Sequence, residues 1–237
     1  MLLFYVRHGD PIYHPDNLTE LGLKQANALS KRLINAKIDK IYSSDSVRAV
    51  KTAEPTAKLY NKEIILLPWA NEHVAWTRMT VEKENAKPWC FHDGETINKL
   101  NSPSVRKMDI EWHTHPDFSN TLFSECTFII DTNVDELLLS LGYKHLRNEY
   151  RYKVVKENDE RIAFFAHQGI GMSILSSILD IPYPIFSTRF DFGHSSMTVI
   201  EFKNVNGYAI PRVLQLSNDA HLYKEDILTG YQNRLDF

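Results

Sequence analysis

The chain has 237 residues, 43% of them apolar and 24% charged, with 27 Lys and Arg against 30 Asp and Glu for a net charge of −3. This is the composition of an ordinary globular protein of one or two domains, long enough to bury well over half of its unfolded surface. It excludes a disordered tail, a collagen-like chain and a membrane span, and it offers no basic excess for nucleic acid or an anionic membrane surface. Two cysteines, Cys90 and Cys126, are too few for a disulfide framework and read as inert buried thiols. The apolar start, Met1 to Val6, stops at Arg7 and lacks the charged leader and the length of a signal peptide, so a cytoplasmic protein is expected.

Leu2–Val6 is a continuous apolar run closed by Arg7-His8-Gly9-Asp10-Pro11, the pattern of a fully buried strand ending in a turn. Thr19 is a helix cap, followed by an apolar face at Leu23, Ala26, Leu29 and Leu33. Ile38–Ser43 predicts a second strand. Val47, Val50, Ala53 and Ala57 predict a second helix that Pro55 should bend or break. Ile64–Leu67 predicts a third strand, stopped by Pro68. The stretch from Trp69 to about Ser124 then loses this rhythm and holds all four tryptophans, Trp69, Trp76, Trp89 and Trp112. Phe128–Leu141 reads as a helix with Gly142 as its stop. Arg161–Ala166 reads as a strand, Ile170–Leu179 as a helix, and Met197–Phe202 and Val213–Leu216 as late strands.

Strand and helix alternate, which predicts an α/β fold: a three-layer α/β/α sandwich around a mostly parallel central sheet. The irregular middle, about 73–125, is expected to be an inserted lid or cap segment on a single domain spanning 1–237, because an insertion that long usually serves a pocket.

In such a sheet ligands bind beyond the carboxyl ends of the strands. Arg7-His8-Gly9 stands at the end of the first buried strand. Histidine can be a neutral nucleophile near pH 7, and arginine's planar fork matches phosphate oxygens. Arg48 enters the second helix after Ser43-Ser44-Asp45-Ser46, near a helix N-terminus that favours an anion. Glu72 follows the third strand, and His167 ends the Arg161–Ala166 strand just before Gln168-Gly169. Each has a bland reading by itself: surface turn, solvated helix arginine, loop carboxylate, satisfied structural histidine. Four such residues at four strand ends argue together for one site.

The order Arg7-His8-Gly9, Ser43 to Ala53, Glu72 and Ala166 to Gly169 resembles the histidine phosphatase superfamily, also called phosphoglycerate mutase-like. Thr19 to Ala26, Ser195 to Ile200 and Asn218 to Leu222 add to the similarity, which covers about 1–72 and 160–223. The resemblance implies that His8 becomes a phosphohistidine and that Arg7, Arg48 and His167 complete a phosphate pocket. It implies that Glu72 is the general acid, that no metal or other cofactor is needed, and that the partner is a small phosphorylated substrate. Trp69 and Trp76 flank Glu72 and would supply apolar surroundings that raise its pKa. Asp10-Pro11 stands where relatives carry another pattern and a nearby Asn, so Asn17 is the substitute phosphate ligand expected here; Gln168 replaces a common glycine and is expected to reach the pocket. Val74-Ala75-Trp76 replaces the usual glycine after the acid. His194 and Asp10 could line the pocket but are left outside the predicted site.

The expected activity is a cofactor-free phosphomonoesterase. A phosphoglycerate mutase is the first alternative; it should surround its pocket with extra cations. Between Arg78 and Asp117 six basic residues (78, 83, 87, 99, 106, 107) face seven acidic ones (82, 84, 93, 95, 109, 111, 117), a net of −1, so this favours the phosphatase. A non-catalytic phospho-ligand module is the second alternative, disfavoured because every core residue is present. The Trp112-His113-Thr114-His115 pattern matches no recognised metal spacing. The substrate and the oligomeric state, a homo-oligomer included, stay open.

Overall fold

The computed structural model describes residues 1–229. In chain order the elements are β1 (Leu2–Arg7), β2 (Pro11–Tyr13), β3 (Asp16–Leu18), α1 (Glu20–Leu33), β4 (Lys40–Ser43), α2 (Val47–Tyr60), β5 (Ile64–Leu66), α3 (Glu72–Met79), α4 (Gly94–Leu100), α5 (Pro103–Arg106), α6 (Phe123–Ser140), β6 (Tyr143–Leu146), β7 (Arg151–Val154), β8 (Arg161–Ala166), α7 (Gly169–Leu179), α8 (Tyr183–Ser187), β9 (Met197–Glu201), β10 (Tyr208–Ala209), β11 (Arg212–Asn218) and α9 (Ala220–Tyr223). Short 3-10 turns link several of them.

The central sheet has the order β11-β9-β1-β8-β4-β5. β1, β8, β4 and β5 pair in parallel, while β9 runs antiparallel between β1 and β11. The expected α/β/α sandwich is therefore present. β1 and β8 read as unbroken apolar runs because they are buried on both faces. Phe4, Val6, Phe165 and Ile41 point to one layer with Leu29 and Leu33 of α1 and Ala53 of α2. Leu3, Tyr5, Phe164 and Ala166 point to the other, with Ile130 of α6 and Ile170 of α7. That second core also takes in Cys90, Phe91, Leu100, Val105, Trp112 and Phe118, so the irregular middle packs into the domain's own core. Burial pushes both thiols, Cys90 and Cys126, up to about 12, as unreactive cysteines require.

Two details depart from the sequence reading. Leu23 is exposed, and the buried face of α1 is Gly22, Gln25, Ala26, Ala28, Leu29 and Leu33. Gly22 turns inward because its backbone meets Asp10: a Cβ there would lie 2.2 Å from the Asp10 carbonyl oxygen. Pro55 does not interrupt α2, which runs on to Tyr60. Ala49, Thr52, Ala53, Thr56 and Ala57 face the protein, and that packing outweighs the hydrogen bond the proline removes. Two additions were unforeseen: the β2–β3 hairpin after β1, and a small sheet of β10, β7 and β6.

Candidate active site

His8 follows β1 and is 3% exposed. Its Nδ1 lies 2.7 Å from the Gly9 carbonyl, so Nδ1 carries the proton and Nε2 keeps its lone pair. Arg48 Nε points at that Nε2 from 3.3 Å. Burial, followed by the positive surroundings of His167, Arg7 and Arg48, holds the His8 imidazole well below the usual histidine pKa, which keeps it neutral. The Gly9 amide is fixed by Thr52 Oγ1 at 3.0 Å, and Gly9 lies so close to Gly22 that a Cβ would sit 2.7 Å from its carbonyl oxygen.

His167 ends β8 with its ring centroid 5.0 Å from that of His8. Its Nε2 meets Ser44 Oγ at 2.8 Å and Ser46 Oγ at 3.3 Å, both from the loop leading into α2. Ser44 Oγ also accepts from the Ser46 amide, and with its own proton directed at Nε2 we assign the imidazole proton to Nδ1. Nδ1 of His167 and Nε of Arg7 are buried and without a hydrogen-bond partner among the described residues. Buried polar atoms left this way cost about 1–3 kcal/mol each. The His167 pKa is also held well below the ordinary value, by burial and then by Arg48 and Arg7.

Arg7 is 5% exposed and donates through Nη1 to the Phe192 carbonyl and through Nη2 to His194 Nε2 at 2.8 Å. His194 Nδ1 lies 3.5 Å from Asp10 Oδ1, and its ring is 5.6 Å from His8. Burial and the Arg7 charge take its pKa down to about 4, so it stands neutral as the acceptor for Arg7. Arg48 donates through Nη1 to Asp16 Oδ1 at 2.8 Å, while Asp16 Oδ2 accepts from the Val47 amide at 2.8 Å. Tyr13 of the same hairpin lies over the Arg48 guanidinium at 5.5 Å.

Glu72 opens α3, whose cap is Asn71. Its two carboxylate oxygens accept from Gly169 N at 2.9 Å and Ile170 N at 2.8 Å, at the N-terminus of α7. Burial raises its pKa, against the opposing pull of these two amides and of Arg7 and Arg48. Trp69 packs its ring edge-on to Phe164 in the core, and only Trp76 of the flanking pair shares the α3 surface with Glu72.

Arg7, His8, Arg48, His167 and Glu72 are thus linked through contacts or mutual charges. Asn17 is not linked in this way: its Oδ1 accepts from the neighbouring Leu18 amide, and the hairpin residue that reaches Arg48 is Asp16. Gln168 donates to Asp191, which also accepts from the Phe192 amide at 2.6 Å and so anchors the loop holding Arg7. The sequence reading missed Asp16, Ser44 and Asp191. His113 and His115 are spent locally, on Ser124 and on the Asp117 amide.

A family model described as the histidine phosphatase superfamily (branch 1) matches residues 3–104, the span that holds Arg7, His8, Arg48 and Glu72. Over that span the chain is similar to the histidine phosphatase superfamily. Solved structures of similar fold extend the likeness along the chain. A phosphoserine phosphatase from Entamoeba histolytica, in complex with 3-phosphoglyceric acid, is 20% identical, with a TM-score of 0.58 over 93% of this chain and 98% of its own. A mycobacterial glucosyl-3-phosphoglycerate phosphatase with inorganic phosphate is 18% identical, with a TM-score of 0.57 over 93% and 98%. A mycobacterial hydrolase is 19% identical, with a TM-score of 0.58 over 92% and 98%. At such identities the likeness concerns the fold. A search of the curated proteins finds no match. Among the described residues no helix is long and apolar enough to cross a membrane.

Proposed function

We propose that this chain is a histidine phosphatase that hydrolyses phosphomonoesters of small molecules through a phosphohistidine on His8. The observation that carries the reading is the His8 tautomer: Nδ1 is tied to the Gly9 carbonyl, and the Nε2 lone pair faces a site with two guanidiniums and a second imidazole.

In the first step the Nε2 lone pair attacks phosphorus, the bond to the ester oxygen breaks, and the Glu72 carboxyl gives its proton to the departing alcohol. In the second step water attacks phosphorus, Glu72 takes the water proton, and the P–N bond breaks to restore the His8 lone pair and release phosphate. Charge on the transferring phosphoryl group spreads over its equatorial oxygens, so fixed donors do most of the work. Arg7, Arg48 and His167 are those donors, and the unpartnered Arg7 Nε and His167 Nδ1 would both gain an acceptor from a tetrahedral oxyanion. Gln168, Asp16, Asp10 and His194 act behind them as positioning residues. Residues 73–125 supply the wall on the leaving-group side.

The test is His8→Ala against a panel of sugar phosphates, nucleotides and phosphoglycerates, with acid-labile phosphoenzyme trapped from the wild type. Loss of phosphate release and of the trapped species in the variant is expected. Turnover at the wild-type rate would refute the scheme, and exchange between phosphoglycerate isomers without phosphate release would favour a mutase.

A further inference from the structure

The helix that carries Glu72 presents an aromatic feature that the phosphoryl chemistry leaves unused. Trp76 stands one helical turn after Glu72, at i+4, and so shares its face. It is 39% exposed, whereas Trp112 is 2% exposed and belongs to the core. Trp89 meets Trp76 edge to face at 5.0 Å and 83°. The Trp89 ring also covers Gly169, where a Cβ would lie 2.3 Å from its Cη2 atom. Gly169 in turn donates its amide to Glu72. Glu72, Gly169, Trp89 and Trp76 therefore form a chain of contacts whose two ends, Glu72 and Trp76, share one face of α3. Phe91 is buried and stacks on Trp89 at 5.4 Å and 22°, which fixes the ring in place. His92, next in the turn, is exposed and lies within the fields of Asp191 and Arg7.

A general acid must touch the leaving oxygen, so the alcohol part of an ester extends from Glu72 onto its neighbours. Those neighbours are two ring systems already held rigid, which makes stacking cheap in ordering entropy. Asp191, whose charge is felt by His92 of the same turn as Trp89, is a carboxylate and repels an anionic alcohol.

We propose that Trp76 and Trp89 bind the alcohol part of the substrate, selecting phosphomonoesters of uncharged aromatic alcohols over those of sugar acids or acidic amino-acid derivatives. The inference rests on the phosphatase reading for the direction in which the alcohol extends. An aromatic wall with a carboxylate near it suits a planar neutral group and opposes a carboxylate.

The experiment measures binding with phosphonates, which cannot turn over: benzylphosphonate, 3-hydroxypropylphosphonate and 2-carboxyethylphosphonate, followed by calorimetry and tryptophan fluorescence. In the wild type the benzyl compound is expected to bind about tenfold or more tighter than either other compound. Trp76→Ala, a change at an exposed ring, should bring that ratio below about threefold, and Trp76→Phe should restore most of it. Equal affinities, a preference for the carboxyethyl compound, no binding at all, or a ratio untouched by Trp76→Ala each overturn the inference. Trapped phosphohistidine on His8 reports separately on the phosphatase reading, so the two can fail independently.

Discussion

Glu72 and Gly169 are 97 residues apart in sequence, yet the carboxylate of the first accepts the first amide of the helix that the second begins, at 2.9 Å. A helix N-terminus favours the anion, while burial favours the neutral acid, and burial prevails in raising the pKa. The result is a carboxyl group that can hold a proton above the ordinary carboxylate range and still be kept in one orientation.

The pH dependence follows. The first step needs His8 neutral and Glu72 protonated. Because the His8 pKa is lowered and that of Glu72 raised, activity on alkyl phosphates should fall as pH rises through the Glu72 pKa, with the optimum on the acid side of neutrality. Glu72→Gln should flatten the alkaline limb and lower kcat for alkyl esters by about 10²–10⁴-fold, with a much smaller loss for 4-nitrophenyl phosphate, whose leaving group needs no proton. Steady-state pH profiles on both ester types check this.

Arg48 is oriented by Asp16, whose two oxygens bridge the guanidinium and the Val47 amide. A hydrogen bond to a charged group contributes about 1.5–3 kcal/mol. Arg48→Ala should therefore weaken vanadate or inorganic phosphate binding by about tenfold to a hundredfold. Asp16→Asn keeps the shape but loses the charge, and should weaken it only a few-fold, about 2–5 times. Calorimetric titration distinguishes the two.

Tyr5 is 1% exposed and donates to the His167 carbonyl at 2.6 Å, and a Cβ on Gly171 would lie 2.3 Å from the Tyr5 hydroxyl oxygen. Gly171→Ala should cost about 1–3 kcal/mol by overpacking and disturb His167. Adding Tyr5→Phe removes the nearest atom and should recover part of that stability, as thermal or urea denaturation would show.

His145 lies far from the active site, at the opposite end of α7, with Asp135 2.8 Å from Nδ1 and Asp180 3.0 Å from Nε2. Burial opposes its charge, but the bonds to the two aspartates outweigh it, so its pKa is raised. Its stabilisation is then fully present below the unfolded pKa, about 6.5, and is lost as pH rises through the folded value. His145→Gln should cost about 1–3 kcal/mol at pH 6 and less at pH 9, read as urea midpoints at the two pH values.

Much of the site was legible because its chemistry sits where local patterns end. The buried run before His8, the strand before His167 and the cap before α2 are each set by residues a few positions away. Asp16 was not legible, since nothing in Asn17 or its neighbour tells which one the hairpin turns toward Arg48. His194 carries no signal of its own in the sequence, since its role depends on the direction of β9. That strand runs antiparallel to β1, so the residues before its start lie at the same edge of the sheet as the carboxyl ends of the parallel strands.

The sequence by itself determined the α/β alternation, the strand-end positions of Arg7, His8 and His167 and the place of Arg48 at the start of α2, because periodicity and capping act over one or two turns of chain. The tertiary structure alone decided the inward face of α1 at Gly22, the continuity of α2 through Pro55, the pairing of Arg7 with His194 across 187 residues, and the meeting of Trp89 with Gly169. Those outcomes depend on strand order and close backbone approach, which are settled by packing between distant segments.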